Sequence, residues 1–284
     1  MLNALVTLYN PTDDQLANLS LIRRQVDRLI VCDNSCKSNK NQITVDCSYR
    51  FFNKNLGLSV AFNMVLKDPL YEWADSDYVI FFDQDSKIDA NHISKLVRDY
   101  DDCISKGIRV GCISPVFFNT SRGATEIPHD KKRIAEGVFE VKSNITSSML
   151  CKYGVLRDIG YWNEEVFLDM ADFELCWRML NKNYKCLMTS STSLTHSVGI
   201  GDYKIGPLRF RVSSPIREYY KVRDCLYIKK KDYTPLKFKI RFMGILTVKS
   251  LIHILFFDNK KERKKYIKRG VLDYKRGIHG EYIE

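Results

Sequence analysis

Asp83 and Asp85 stand one residue apart in the stretch FFDQDS, directly after a run of strand-forming residues. Like charges that close repel, and the edge of a core raises the cost of desolvating them. Carboxylates at i and i+2 can share one divalent cation, directly or through water. Mg²⁺ and Mn²⁺ prefer such hard oxygen donors, often together with substrate phosphates. A solvated acidic turn is the plain alternative. Asp172 stands at the expected start of a helix, where its carboxylate either faces a cleft or caps the helix. Glu174 and Arg178 follow at i, i+4 spacing, which also fits a simple helix salt bridge. His196, after an extended run, has the chemistry of a further metal ligand and equally that of a packed structural histidine. Asp33 ends another apolar run, RLIVCDNS.

The elements that must position these groups alternate. Apolar runs at 2–9 and 28–35, the segment YRFFNKN, the run DYVIFFDQD and the stretch RVGCISPVFF read as five strands. An amphipathic segment with Leu16, Leu19, Ile22 and Val26, then LSVAFNMVLK and HISKLVRDYDDCISK, read as helices between them. That alternation predicts an α/β fold with a mostly parallel sheet, whose ligands bind at the carboxyl ends of the strands. Asp33 and the Asp83/Asp85 pair would then share one edge. Beyond residue 120, FEVKSNITSSMLCK and KCLMTSSTSLTHS read as extended, and MADFELCWRMLNKN as helical. Residues 199–216, with three glycines and two prolines, read as a loop.

The chain has 284 residues, 45% hydrophobic and 28% charged, an ordinary globular composition without repeats or low-complexity tracts. Its opening residues read as a first strand rather than a secretory signal. Nine scattered cysteines without a CxxC pair argue for reduced thiols in a cytosol, not for a disulfide frame or a zinc site. Of the net charge of +11, residues 229–284 hold +10, with 16 Lys/Arg against 6 Asp/Glu, so the main domain carries little net charge for nucleic acid. The apolar stretch 242–257 contains Lys249 and His253 and is shorter than the roughly 20 residues a spanning helix needs. Basic clusters at 229–231 and 260–269 flank it, a pattern suited to the interface of an anionic membrane. A helical pair with a solvated basic face fits it as well.

Taken together, VTLYNP, VCDNS, NKNLGLSVAFN, DQDS, GYWNEEVFLDMADFELCWR, THSVG and YYKVRD resemble the family 2 glycosyltransferases with a GT-A fold, and within them the bacterial rhamnosyltransferase branch. The similarity covers about residues 3–225. It implies a Rossmann-like, mostly parallel central sheet flanked by helices, with a catalytic domain over 1–215 and a basic helical extension over 216–284. Within that domain the nucleotide-binding part would cover about 1–115 and the acceptor-binding part about 116–215. By the same resemblance, Thr7, Tyr9, Asn10, Asp33, Asn55, Gly57, Asn63, Asp83, Gln84, Ser147 and Arg223 would bind the nucleotide-sugar. Asp33 would meet the pyrimidine base, and Arg223, with Tyr219 and Tyr220, would close on the diphosphate. Asp85, with His196, would hold Mn²⁺ or Mg²⁺. Asp172 would be the general base, and Trp162, Asp169 and Glu174 would meet the acceptor.

The implied reaction moves L-rhamnose from dTDP-β-L-rhamnose to a lipid-linked saccharide, with inversion, at the cytoplasmic face of a bacterial plasma membrane. Expected partners are the nucleotide-sugar, that acceptor, an anionic membrane surface and a second copy of the chain, but not nucleic acid. Three features depart from the family. Ser147-Ser148 replaces a frequent Ser-Gly and would narrow the donor's approach, Ala171 replaces a second acidic residue, and Asp224 replaces a frequent Asn. Galactofuranosyl transfer is the alternative within the class. A phosphatase of the haloacid dehalogenase type is disfavoured by Lys87, two residues beyond the second aspartate. A nucleotidyltransferase is disfavoured by TLYNPTDDQ, which lacks a glycine-rich basic loop. A nucleic-acid module would rest on the tail alone.

Overall fold

A computed structural model describes residues 1–119, 124–128, 130–196, 201–205, 208–212, 214–241, 244 and 258–284. The apolar runs of the N-terminal part form strands β1 (Leu2–Leu8), β2 (Arg28–Asp33), β3 (Ser48–Phe51) and β4 (Tyr78–Asp83), all parallel, in the order β3-β2-β1-β4. Helices α1 (Asp13–Arg23), α2 (Gly57–Leu66) and α3 (His92–Ser105) connect or follow them. Thr12 starts α1 with a capping box: its hydroxyl accepts from the Gln15 N–H, and the Gln15 side chain accepts from the Thr12 N–H.

β1 shows why the sheet is sandwiched. Its alternate residues serve different cores, Leu5 packing with Phe62, Phe81 and Trp162, and Ala4, Val6 and Leu8 packing with Leu19, Ile22 and Leu96. Fully burying each large apolar side chain stabilises the fold by about 1.5–3 kcal/mol.

Beyond α3 the sheet becomes mixed. β5 (Val110–Asn119), which spans the expected boundary near residue 115, is separated from β4 by antiparallel β9 (Met149–Lys152). The path continues through β10 (Lys185–His196) to β8 (Val138–Val141) and β7 (Lys132–Ala135), with β6 (Ala124–Glu126) off β5. The extended stretch expected over 139–152 is thus two strands on different neighbours, because residues 142–148 leave the sheet between them. Helices α4 (Tyr153–Asp158) and α5 (Ala171–Asn181) follow β9.

The loop expected at 199–216 is corrected: β11 (Gly201–Ile205) and β12 (Leu208–Val212) pair as an antiparallel ribbon. Apolar and charged residues alternate on either side of Gly206-Pro207, a strand pattern that the glycine and proline content obscured. In the extension, α6 (Arg217–Lys229) packs against α7 (Lys260–Lys275). A Cβ at Gly270 would lie 2.8 Å from the Tyr219 carbonyl, so glycine permits that approach. The apolar stretch 242–257 lies, apart from Gly244, outside the described residues. Among the described residues, no helix is long and apolar enough to cross a membrane.

Candidate active site

Parallel pairing places the expected strand ends together. Thr7 of β1 is in register with Asp83 of β4, and Leu8 with Asp33 of β2. Strand directions put the end of β10, with His196, on the same sheet edge as Asp83. The His196 side chain lies outside the described residues.

Gln84, whose type had no chemical explanation in the sequence, has one here. Its side-chain oxygen accepts from the Tyr9 N–H at 2.7 Å, and its amide nitrogen donates to the Tyr9 carbonyl at 3.3 Å and to Gln15 Oε1 at 3.0 Å. One side chain thus joins the loops that follow β1 and β4. Tyr9 itself is exposed, and the Asn10 N–H donates to Ser35 Oγ at 2.8 Å.

Asp33 is fully buried. Its carboxylate accepts from the Ser35 N–H at 2.9 Å, from the Asn39 backbone at 3.1 Å and side chain at 2.9 Å, and from the Tyr49 hydroxyl. Burial alone would raise its pKa, but these donors outweigh it and hold the carboxyl below its ordinary value. Rather than presenting a free carboxylate to a base, Asp33 organises loop 34–39. Asn34 next to it accepts from the Leu56 N–H at 3.2 Å and donates to the Gly57 carbonyl at 3.2 Å, fixing loop 55–57. Gly57 has φ +76°, and a Cβ there would lie 2.4 Å from the Phe167 carbonyl, so only glycine fits.

Asp172 is not the cap of α5. Met170 is, with φ +74°, and Asp172 sits in the first turn, partly buried. Burial pushes its carboxyl up to about 7, and the charges of Asp83 and Asp169 act in the same direction. The Phe173 and Thr146 N–H groups oppose the shift. Segment 146–148 therefore bridges the two carboxylates: Thr146 donates to Asp172, and the Ser147 hydroxyl donates to Asp83 at 2.6 Å. The bridge is anchored below, because Asn144 donates to the Leu187 carbonyl at 2.8 Å and its backbone N–H to Cys176 Sγ at 3.3 Å. Cys176, Cys112 and Cys186 form a buried trio, the one group of three or more metal-ligating side chains within 4.8 Å among the described residues. Sequence spacing did not reveal this convergence, since the thiols come from α5, β5 and β10.

Ser148 does not narrow the donor's approach. It adopts φ +64°, which explains why glycine suits the position. Its fully buried hydroxyl turns away to His92 Nε2 at 2.6 Å, and Thr192 Oγ1 lies 2.9 Å from His92 Nδ1. Burial lowers the His92 pKa to about 4, so the ring is neutral.

Several expected site residues serve the scaffold instead. Glu174 is fully buried and accepts from Arg178, from Asn163 and from the Tyr233 hydroxyl, leaving nothing for an acceptor. Trp162 is 2% exposed, with its ring packed on Phe62 and Phe81. Asn63 donates to the Trp162 carbonyl and accepts from its N–H. Arg223 is wholly buried, donating to Asp224 at 2.8 Å, to the Tyr219 hydroxyl at 3.0 Å and to the Gly280 carbonyl at 2.6 Å. It is neither an outward helix residue nor open to a diphosphate. Asp224 also accepts from the Phe167 N–H at 2.9 Å, which gives the unusual aspartate a part. Asp169, unlike these, keeps part of its side chain exposed while it pairs with Arg217 at 2.6 Å.

Asp85 is exposed and has no hydrogen-bond or ion-pair partner among the described residues. Asp85 and Asp83, two residues apart in the chain, offer the hard oxygen donors that a divalent cation such as Mg²⁺ or Mn²⁺ would take. The surface groove of about 300 Å³ on the outer side of α2 is a different place, and its charges are already paired, Arg50 with Asp68 and Lys67 with Glu164.

A GT-A sheet with acidic groups gathered at one edge defines a glycosyltransferase, and the comparisons agree. Residues 6–160 match the family described as Glycosyl transferase family 2, more than half of the chain, and the chain belongs to that family. It is 27% identical over 292 residues to the dTDP-rhamnosyl transferase RfbF of Shigella flexneri, covering 98% of this chain and 95% of that one. Among solved structures, GalNAc-T7 with UDP, GalNAc and Mn²⁺ superposes with a TM-score of 0.59 at 12% identity, over 96% of this chain and 56% of that one. TarS 1–349 of S. aureus superposes with a TM-score of 0.54 at 13% identity, over 98% of this chain and 80% of that one. These two likenesses concern the fold.

Proposed function

We propose that the protein transfers L-rhamnose, with inversion, from dTDP-β-L-rhamnose to a lipid-linked saccharide, using Asp172 as general base and a divalent cation. The observation that carries the reading is Asp172 itself: a carboxyl raised to about 7, in the first turn of α5, facing Asp83 across the Thr146–Ser147 bridge. A base is most effective when its pKa lies near the working pH. The acceptor hydroxyl attacks C1 of the donor sugar as Asp172 takes its proton. The bond from C1 to the diphosphate oxygen breaks, and dTDP leaves with the bonding electrons. One displacement inverts the centre and needs no enzyme nucleophile.

Asp83, Ser147, Thr7, Tyr9, Asn10, Gln84 and the Asn55–Gly57 loop border the donor in this reading, and Asp169 borders the acceptor. Asp85, with Asp83 and His196 on the same edge, would hold Mg²⁺ or Mn²⁺. When bound, the cation supplies charge neutralisation to the departing diphosphate. The 27% identity to a dTDP-rhamnosyl transferase along nearly the whole chain supports rhamnose as the sugar. The exposed lysines of α7 support attachment to an anionic membrane surface, at the cytoplasmic face in this reading.

A panel of nucleotide-sugars, assayed with Mg²⁺, Mn²⁺ or chelator, tests the reading. It predicts turnover of dTDP-rhamnose that needs the cation and is lost in Asp85→Ala. Turnover of a different donor alone would replace the sugar, and full activity of Asp85→Ala in chelator would remove the metal.

A further inference from the structure

The tail after α7 returns to the catalytic domain rather than trailing from it. Tyr282 stacks edge-on against Tyr219 of α6 and Tyr266 of α7, with ring centroids 4.9 and 5.2 Å apart. Its N–H donates to the Tyr220 hydroxyl at 3.0 Å, and the Gly280 carbonyl accepts from buried Arg223 at 2.6 Å. Tyr220 in turn stacks on Phe167, with centroids 4.4 Å apart and planes 12° from parallel. Phe167 is the residue against which Gly57 is packed, and its carbonyl accepts from the Leu58 N–H at 2.8 Å. Between Gly280 and Tyr282, the Glu281 carboxylate lies beside the Asn55 N–H, which favours its charged form, while burial disfavours it.

The tail therefore grips loop 55–57 from outside, while Asn34 grips it from inside. Asn55 and Leu56 lie outside regular secondary structure just before α2 begins at Gly57, and besides the bond from the Gly57 N–H to Asn55 Oδ1 at 3.0 Å these external partners hold the segment. Glu281 is exposed, and holding this contact is the one structural task its carboxylate has among the described residues.

We propose that Gly280, Glu281 and Tyr282 are positioning residues of the donor site, clamping the Asn55–Gly57 loop so that the wall facing the nucleotide-sugar is formed before the donor arrives. The extension that carries the basic α7 would in this way also set donor affinity. The inference rests on the reading of loop 55–57 as a donor wall. A site formed in advance spends less binding energy on ordering, so loosening the clamp weakens donor binding more than it slows chemistry.

The test uses the full chain, with dTDP binding measured by calorimetry and donor KM and kcat measured in parallel. Glu281→Ala is expected to weaken dTDP binding and raise donor KM by about 2–10-fold, the worth of one ordinary hydrogen bond, with kcat changed less than twofold. Glu281→Gln keeps an acceptor oxygen for the Asn55 N–H and should restore most of the affinity. Unchanged dTDP affinity in Glu281→Ala overturns the clamp while leaving the donor site standing. A fall in kcat and thermal stability without a change in KM also overturns it, because the tail would then be only structural. If the wild-type chain binds no nucleoside diphosphate from a panel of bases, the donor reading itself fails, and the clamp with it.

Discussion

At the scale of single residues, Asp172 has two properties that pull apart. Burial raises its carboxyl to about 7, so the folded protein favours the neutral form. Its contribution to stability is then complete below the ordinary carboxylate pKa near 4 and is lost as pH rises through 7. Asp172→Asn should match the wild type in thermal stability at pH 4 and exceed it at pH 8, while kcat falls at least 100-fold. In the wild type, kcat/KM should rise about tenfold per pH unit and level off above about 7, because this ratio reports the free enzyme. A flat profile from pH 5 to 8 would remove Asp172 as the base. Gln84 makes a second residue-scale case. Gln84→Ala removes both bonds to the Tyr9 backbone, each worth roughly 1 kcal/mol, so donor KM should rise by up to about 30-fold by steady-state kinetics. An unchanged KM would mean that the Tyr9 loop needs no tether.

At the scale of elements, strand ends were legible because apolar runs followed by acidic or amide residues mark them directly: Asp33 and Asp83 fell where the pattern put them. Roles that depend on distant partners were not legible. Glu174 and Arg178 read as a helix salt bridge and form one, but Asn163 and Tyr233, which close over Glu174 from 11 and 59 residues away, could not be foreseen. Gln84 acts on a backbone 75 residues earlier, and no spacing rule reaches that far. Ser148 was read as an obstacle since its left-handed backbone and its His92 partner are both invisible in one dimension. That pairing yields a stability test in the turn before β9. Ser148→Ala keeps the strained backbone and leaves the buried His92 Nε2 without a partner, so it should cost about 1–3 kcal/mol in urea unfolding. Ser148→Gly loses the same bond but relieves roughly 1–2 kcal/mol of backbone strain, so it should cost less. Equal losses in both variants would show that the strain is negligible.

At the scale of the whole molecule, one extension serves two faces. Inward, α6 and α7 are joined by Tyr219 to Asp273 at 2.9 Å, by Arg263 to Glu218 at 3.4 Å and by the close approach at Gly270. Outward, Lys260, Lys261, Lys264, Lys268 and Lys275 are exposed on α7. Each basic residue near an anionic surface contributes about 1 kcal/mol, within a Debye length of about 10 Å at 0.1 M salt. Binding to phosphatidylserine vesicles should therefore weaken steeply with salt and fall at least tenfold when Lys261, Lys264 and Lys268 become Glu. Salt-independent binding would point instead to apolar insertion. The account as a whole stands on a single inverting displacement from a rhamnosyl donor. The most direct measurement is NMR of the product formed from dTDP-β-L-rhamnose and a lipid-linked saccharide. An α-L-rhamnoside formed with release of dTDP is the predicted result, and a β-linked product, or no transfer from this donor while another is used, would contradict it.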